Sequence, residues 1–184
     1  MDAALKKNIL IGILAVLALL LLAAVGLFVY FKLQFTTYQD DQYHFSMEYP
    51  KTWQVIVHPK ENVAVVFVRP KDTALDTVQE NFNITVQDLP KGVYALDPFT
   101  AIIKNQMTAV FADKVHMTDA PIKIGWRDAH ELMVDAPQPD HLKMVNAWVL
   151  RSTQAFILTF LGDLNKYPQD RLTIYEMIHS LQLQ

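Results

Sequence analysis

From Ile9 to Phe31 the chain runs for 23 positions without a charged residue. A bilayer core roughly 30 Å thick is crossed by about 20 helical residues, so this run is long enough to span one. Leu, Ala, Val and Ile dominate it, proline is absent, and Gly12 and Gly26 are its weak helix formers. A helix suits hydrocarbon because it satisfies every N–H and C=O internally. The competing reading is a cleaved secretory signal, whose apolar core is only about 7–15 residues long. Ala24 and Gly26 offer a small-residue cleavage site, yet the apolar run continues through Leu27, Phe28, Val29, Tyr30 and Phe31. Its length favours an uncleaved anchor over residues 9–31. Phe28, Tyr30, Phe31 and Lys32 suit a membrane–water interface. Lys6 and Lys7 precede the run, whereas Lys32 alone follows it closely, before Asp40 and Asp41. The positive-inside tendency then predicts residues 1–8 in the cytoplasm and the bulk of the chain outside.

The rest of the composition removes several function classes. There is no cysteine, which excludes a lipoprotein anchor, thiol nucleophiles and Cys-ligated zinc. A domain of this size holds its core without disulfides, and their absence fits a bacterial envelope protein. After Lys32 the chain carries 13 basic and 18 acidic residues, with no basic cluster. Nucleic-acid binding needs such a footprint, so that partner is not expected. Five glycines in the whole chain leave little room for a phosphate-cradling loop, and no G-x-S-x-G is present.

Residues 32–42 read as a short polar tether, with a folded extracytoplasmic domain over 43–184. The stretch "YHFSMEYPKTWQVIV" opens that domain. Tyr43, Phe45, Met47 and Tyr49 alternate with His44, Ser46 and Glu48, the period-two pattern of a half-buried strand. Pro50 ends it, "PKTW" turns, and Trp53 is expected to fold back over the apolar face. Further strands are predicted over 54–58, 63–68 and 82–86. The nearly continuous apolar run Val63–Val68 points to an interior strand.

Then the period changes. Asp97-Pro98 reads as an N-cap followed by a first-turn proline. Leu96, Phe99, Ile102, Ile103, Met107, Val110 and Phe111 follow at helical steps, predicting an amphipathic helix to about Ala112. Strand-like pieces resume at 115–117, 121–126, 129–135, 142–151 and 154–161, and look like a four-stranded antiparallel meander. Ile122, Ile124 and Trp126 are placed on one face. A last helix starts near Pro168, with Leu172, Tyr175, Ile178 and Leu181 as its packed stripe. Strands, helix, strands, helix predict an α+β domain, an antiparallel sheet with helices packed on its faces, preceded by one transmembrane helix.

These signatures resemble a known family. "FSMEYPKTW" is similar to the opening strand of PsbP-like domains, a Phe, an apolar residue and then Tyr-Pro-x-x-Trp. Phe45, Met47, Tyr49, Pro50 and Trp53 match it here. "NFNITVQDLP", "APIKIGWRDAHELMVD" and the closing "TIYEMIHSLQL" also resemble that family, over about Tyr43 to Leu183. The resemblance implies the α/β/α sandwich shared by PsbP and the Ran-binding Mog1 proteins. It implies a non-enzymatic domain that binds or helps assemble a protein partner, with no cofactor. The chain departs from photosynthetic members in its apolar anchor and in lacking their basic arm, which argues against a photosystem role. Phe45, Tyr49, Pro50 and Trp53 read as a structural motif, since Tyr and Trp each bury roughly 150–250 Å².

Chemistry-bearing residues are sparse. The six histidines are His44, His58, His116, His130, His141 and His179, and none is paired at metal spacing. Asp128 and His130 share a strand face. Asp135, Asp140 and His141 could meet at a hairpin tip and hold a divalent cation weakly, though turn-forming residues at a solvated tip explain them as well. Asn83-Ile84-Thr85 matches a glycosylation sequon in mid-strand. Two expectations follow. One is a membrane-anchored module meeting the bilayer through residues 9–31 and a protein partner in the envelope, through the loops at 137–141 or 93–99. The other is a small-ligand or divalent-cation-binding envelope protein.

Overall fold

The computed structural model describes residues 3–73, 78–111, 115–136 and 141–184, with side chains in the first helix from residue 12 onward. The chain divides into two compact units, 1–36 and 37–184. The first unit is built on α1 (Ala3–Leu33). Within it, Gly12–Leu33 is 22 residues long, apolar, and none of it is buried. At 1.5 Å per residue that segment is roughly 33 Å long.

The second unit is built on two antiparallel sheets. The larger has seven strands in the order β3-β4-β5-β9-β8-β7-β6. Their ranges are β3 (Gln54–Lys60), β4 (Val63–Val68), β5 (Asn81–Asp88), β6 (His116–Ile124), β7 (Arg127–Ala136), β8 (Leu142–Arg151) and β9 (Gln154–Asp163). The smaller sheet has the order β1-β2-β10, from β1 (Phe35–Asp40), β2 (Phe45–Pro50) and β10 (Gln182–Leu183). The helices are α2 (Leu96–Phe111) and α3 (Tyr167–His179).

The expected meander β6-β7-β8-β9 forms, in continuous antiparallel register. β9 then pairs along its length with β5, from Asn81↔Leu161 to Asp88↔Gln154, and joins the meander to β3-β4-β5. Strand alternation divides the side chains between two faces. On one face Leu132, Val134, Trp148 and Ala155 pack under Phe99 and Ile103 of α2. The Trp148 indole N–H donates to Thr100 Oγ1 at 2.9 Å, so its one polar atom is satisfied where it is buried. On the opposite face, directly opposed pairs Phe82↔Phe160, Ile84↔Leu158 and Val86↔Phe156 build the larger core. Phe45 of β2 meets Phe156 edge-on at 6.0 Å, and α3 covers this side with Ile174, Met177 and Ile178. The result is the predicted α/β/α layering.

Several local expectations change. Six residues of the expected tether form β1, because Phe35 and Asp40 are both buried. Pro59 lies inside β3 rather than ending it, and Pro121 lies inside β6 rather than starting a strand. Both strands are sheet edges, where a missing N–H breaks no ladder bond. This makes one strand of the two pieces expected at 115–117 and 121–126. α2 begins at Leu96, so Asp97 lies in its first turn and not at the cap. The expected stripe holds at Ile178 and Leu181, which are buried, but Leu172 is 73% exposed, and Asp170, Ile174 and Met177 are buried on α3 in its place. The closing segment leaves the helix after His179 to make β10. Trp126 does not share a face with Ile122 and Ile124, since it sits in the turn after β6.

Truncating the core face should be costly and truncating the exposed position should not. Phe156→Ala is expected to lose about 3–5 kcal/mol, and Leu172→Ala to stay within about 0.5 kcal/mol. Urea titration of the detergent-solubilised chain, followed by tryptophan fluorescence, measures both. Equal losses would contradict this assignment of the core.

Candidate functional site

The opening motif lies in the frame. Phe45 and Trp53 are buried, and Pro50 is buried at the end of β2. The Trp53 N–H donates to Pro50 O at 2.9 Å, closing the turn that "PKTW" encodes. The Tyr49 ring lies 4.7 Å from that of Phe67.

The cation candidates have other partners. Asp135 accepts from Lys143, whose ammonium also lies 4.7 Å from the centre of the Tyr167 ring. His141 takes a left-handed backbone conformation and its carbonyl accepts from the Leu164 N–H at 2.8 Å. Asp140 lies outside the described residues, as does most of the 137–141 loop. Asp128 is paired with Lys123, and His130 with Asp119 at 3.0 Å while stacking on Trp148. Among the described residues no three His, Asp or Glu side chains gather as a metal would need. Asn83 is half-buried in mid-β5. In the other expected contact segment, Val93 packs toward the α2 core and Phe99 is buried, leaving Tyr94 outside, 78% exposed.

Two of the buried carboxylates, Asp40 and Glu131, contrast in how they are partnered. Asp40 accepts from the Tyr43 N–H at 2.8 Å, Tyr38 Oη at 3.0 Å and His58 Nε2 at 2.9 Å. Burial alone would raise its pKa, but these donors outweigh it and hold the carboxyl below the usual range. Glu131 is the opposite case. It lies beneath α3 with one hydrogen bond, from Tyr175 Oη at 3.0 Å, and Oε2 is buried without a partner among the described residues. Burial pushes its pKa up, although Tyr175, His179, Lys143 and Arg171 all pull it down.

The surface feature that stands out is the β6–β7 hairpin. Ile124↔Arg127 is its last pair, and Gly125 and Trp126 make a two-residue turn. Gly125 has φ +58, the left-handed value that the first position of a type II′ turn demands. The turn projects Trp126, which is 80% exposed, and the Arg127 guanidinium sits 4.4 Å from its ring centre. Beside it is a cleft of about 290 Å³, lined by Ile124, Trp126, Arg127, Val149, Leu181 and Leu183 among others. Gly-Trp-Arg between two strand patterns was the available signal, since a side chain at the second turn position has no sheet face to join. The cleft itself joins residues 124–127 to 181–183, which only the fold brings together.

No protein-family model matches the chain, and no curated protein matches it. Solved structures do. Cyanobacterial PsbP (CyanoP) from Synechocystis sp. PCC 6803 is similar with a TM-score of 0.62 at 11% identity, covering 82% of this chain and 93% of that one. LpqN from Mycobacterium tuberculosis, described as involved in cell envelope biogenesis, gives 0.57 at 9% identity, over 81% and 90%. The Saccharomyces cerevisiae Ran-binding protein Mog1p gives 0.55 at 8% identity, over 81% and 95%. Identities this low establish likeness of fold alone.

The two carboxylates give stability opposite dependences on pH. Asp40 contributes stability above the ordinary aspartate value and loses it as pH falls through its lowered folded value. Glu131, raised in the fold, lets stability fall as pH climbs from the ordinary 4.5 through its folded value. Glu131→Gln is therefore expected to raise the Tm at pH 7–8, with a gain that shrinks toward pH 4. Melting curves across pH 4–8 test this, and parallel curves for parent and variant would refute it.

Proposed function

We propose, from the premise of a PsbP/Mog1-like fold joined to an apolar helix, that this chain is a membrane-anchored binding module of the cell envelope. Residues 9–31 stay attached and cross the bilayer once. Lys6 and Lys7 keep residues 1–8 in the cytoplasm, and the layered domain stands outside. The module is non-enzymatic and binds, or helps assemble, a protein partner. The observation that carries this reading is Gly12–Leu33, a helix of bilayer length with no burial. An apolar surface of that extent needs a non-aqueous neighbour.

The similar folds support the binding half of the reading. One is described as Ran-binding and another as involved in cell envelope biogenesis. Trp126 and Arg127 give this chain a contact surface of the type enriched at interfaces, while Phe45, Tyr49, Pro50 and Trp53 serve as its frame. The small-ligand alternative would use the same cleft, whose volume of about 290 Å³ lies at the lower bound for such pockets.

Expressed in a bacterial host, the full chain should resist alkaline carbonate extraction and keep its original N-terminus. Photocrosslinkers at Tyr94, Trp126 and Leu172 should capture one stoichiometric protein. A mature chain starting near Leu27 and free in the aqueous compartment would overturn the anchor. Failure of every crosslinking position to yield a partner would overturn the binding role.

A further inference from the structure

The cleft beside Trp126 has an unpaired strand edge as one wall. β10 is the last strand of the smaller sheet and is paired only with β2. In an antiparallel ladder, successive residues turn their N–H and C=O to opposite sides. The Gln184 N–H donates to His44 O at 3.0 Å, on the β2 side. Leu183, one residue earlier, therefore turns its N–H and C=O away from β2, and Leu183 lines the cleft. No described residue takes those two groups.

The opposite wall supplies charge. Arg127 has no carboxylate partner among the described residues, because its neighbour Asp128 is held by Lys123. Arg151 adds a second guanidinium nearby, with donors already engaged by main-chain oxygens of Tyr43, His44 and Gln184. Beyond Lys32 acidic residues outnumber basic ones by 18 to 13, so the cleft is a local reversal of sign. Between the walls, Ile124, Val149 and Leu181 form an apolar floor. The volume suits one or two side chains of a longer polymer.

We propose that this cleft receives an extended acidic stretch of a partner polypeptide, added as a fourth strand beside β10. The partner's C=O accepts from the Leu183 N–H, and its N–H donates to Leu183 C=O. An Asp or Glu side chain pairs with Arg127, and an alternate apolar side chain enters the floor under Trp126. Main-chain bonds then give affinity, and the floor and guanidinium give selectivity. This deepens the partner-binding reading above and rests on it.

The test uses the full chain in zwitterionic phosphatidylcholine nanodiscs and two synthetic peptides of alternating Val-Glu and alternating Val-Lys. The Val-Glu peptide is expected to bind and to slow amide exchange at Leu183. An N-methylated version, which cannot complete the ladder, should not bind. Arg127→Glu should weaken Val-Glu binding roughly tenfold or more and transfer preference to Val-Lys. Trp126→Ala should weaken both, and neither change at this turn should alter the far-UV circular dichroism. Val-Glu binding that ignores Arg127→Glu, or leaves Leu183 exchange unchanged, overturns the proposal. So does Arg127-dependent binding to anionic vesicles with no peptide binding. A crosslinked cellular partner that is retained by Arg127→Glu overturns this cleft alone and leaves the anchored module standing.

Discussion

The pairing of β5 with β9 is the constraint on which the rest of the domain depends. It joins residues 81–88 to 154–163, across α2 and the first three strands of the meander. Without it, β3-β4-β5 and β6-β7-β8-β9 would be two smaller sheets, each with an additional open edge. With it, Phe82, Ile84 and Val86 stand directly opposite Phe160, Leu158 and Phe156, and one apolar face runs through the middle of the sheet. That face is what α3 and β2 have to cover. The price is a contact of high sequence separation, which is slow to find in folding.

Polar groups inside this frame follow one rule with instructive exceptions. Asp40 is fully enclosed and carries three donors. Trp148 and Thr100 satisfy one another, whereas Asn146 accepts from Thr159 at 2.8 Å with its Oδ1 and its Nδ2 is left without a partner among the described residues. Glu131 is left half satisfied, with cations and tyrosines above it on α3 and β8. A buried carboxyl so placed favours its neutral form, so the domain resists acid at Glu131 beneath α3 and depends on ionisation at Asp40 at the end of β1. Just past β4, Arg69 binds Glu80 and reaches Asp170 at 3.4 Å, with Glu80 Oε1 left without a partner among the described residues.

The edges of the large sheet and of the small one are treated differently. β3 and β6 carry Pro59 and Pro121, and β6 also has charges along it, which blunts both as templates for added strands. β10 has neither device. It lies beside a hairpin turn that holds its only large side chain away from the core. Protection at the two edges of the large sheet and its absence at β10 are what the proposed contact surface rests on.

The sequence alone determined the elements whose signals are local. Charge-free length marked the apolar helix, period two marked the strands, helical steps marked α2, and the Tyr-Pro-x-x-Trp stretch marked the fold. Tertiary structure decided what local periodicity cannot encode. Which face of α3 is inside depended on the sheet beneath it, so Ile174 and Met177 were chosen over Leu172. Pro59 looked like a stop and Pro121 like a start because edge position is a property of the assembled sheet. The cleft has no signature in either of its segments, since residues 124–127 and 181–183 meet only after β10 pairs with β2. Periodicity reports how one segment divides between inside and outside, and a site built from distant segments exists only once long-range pairing has set their distance.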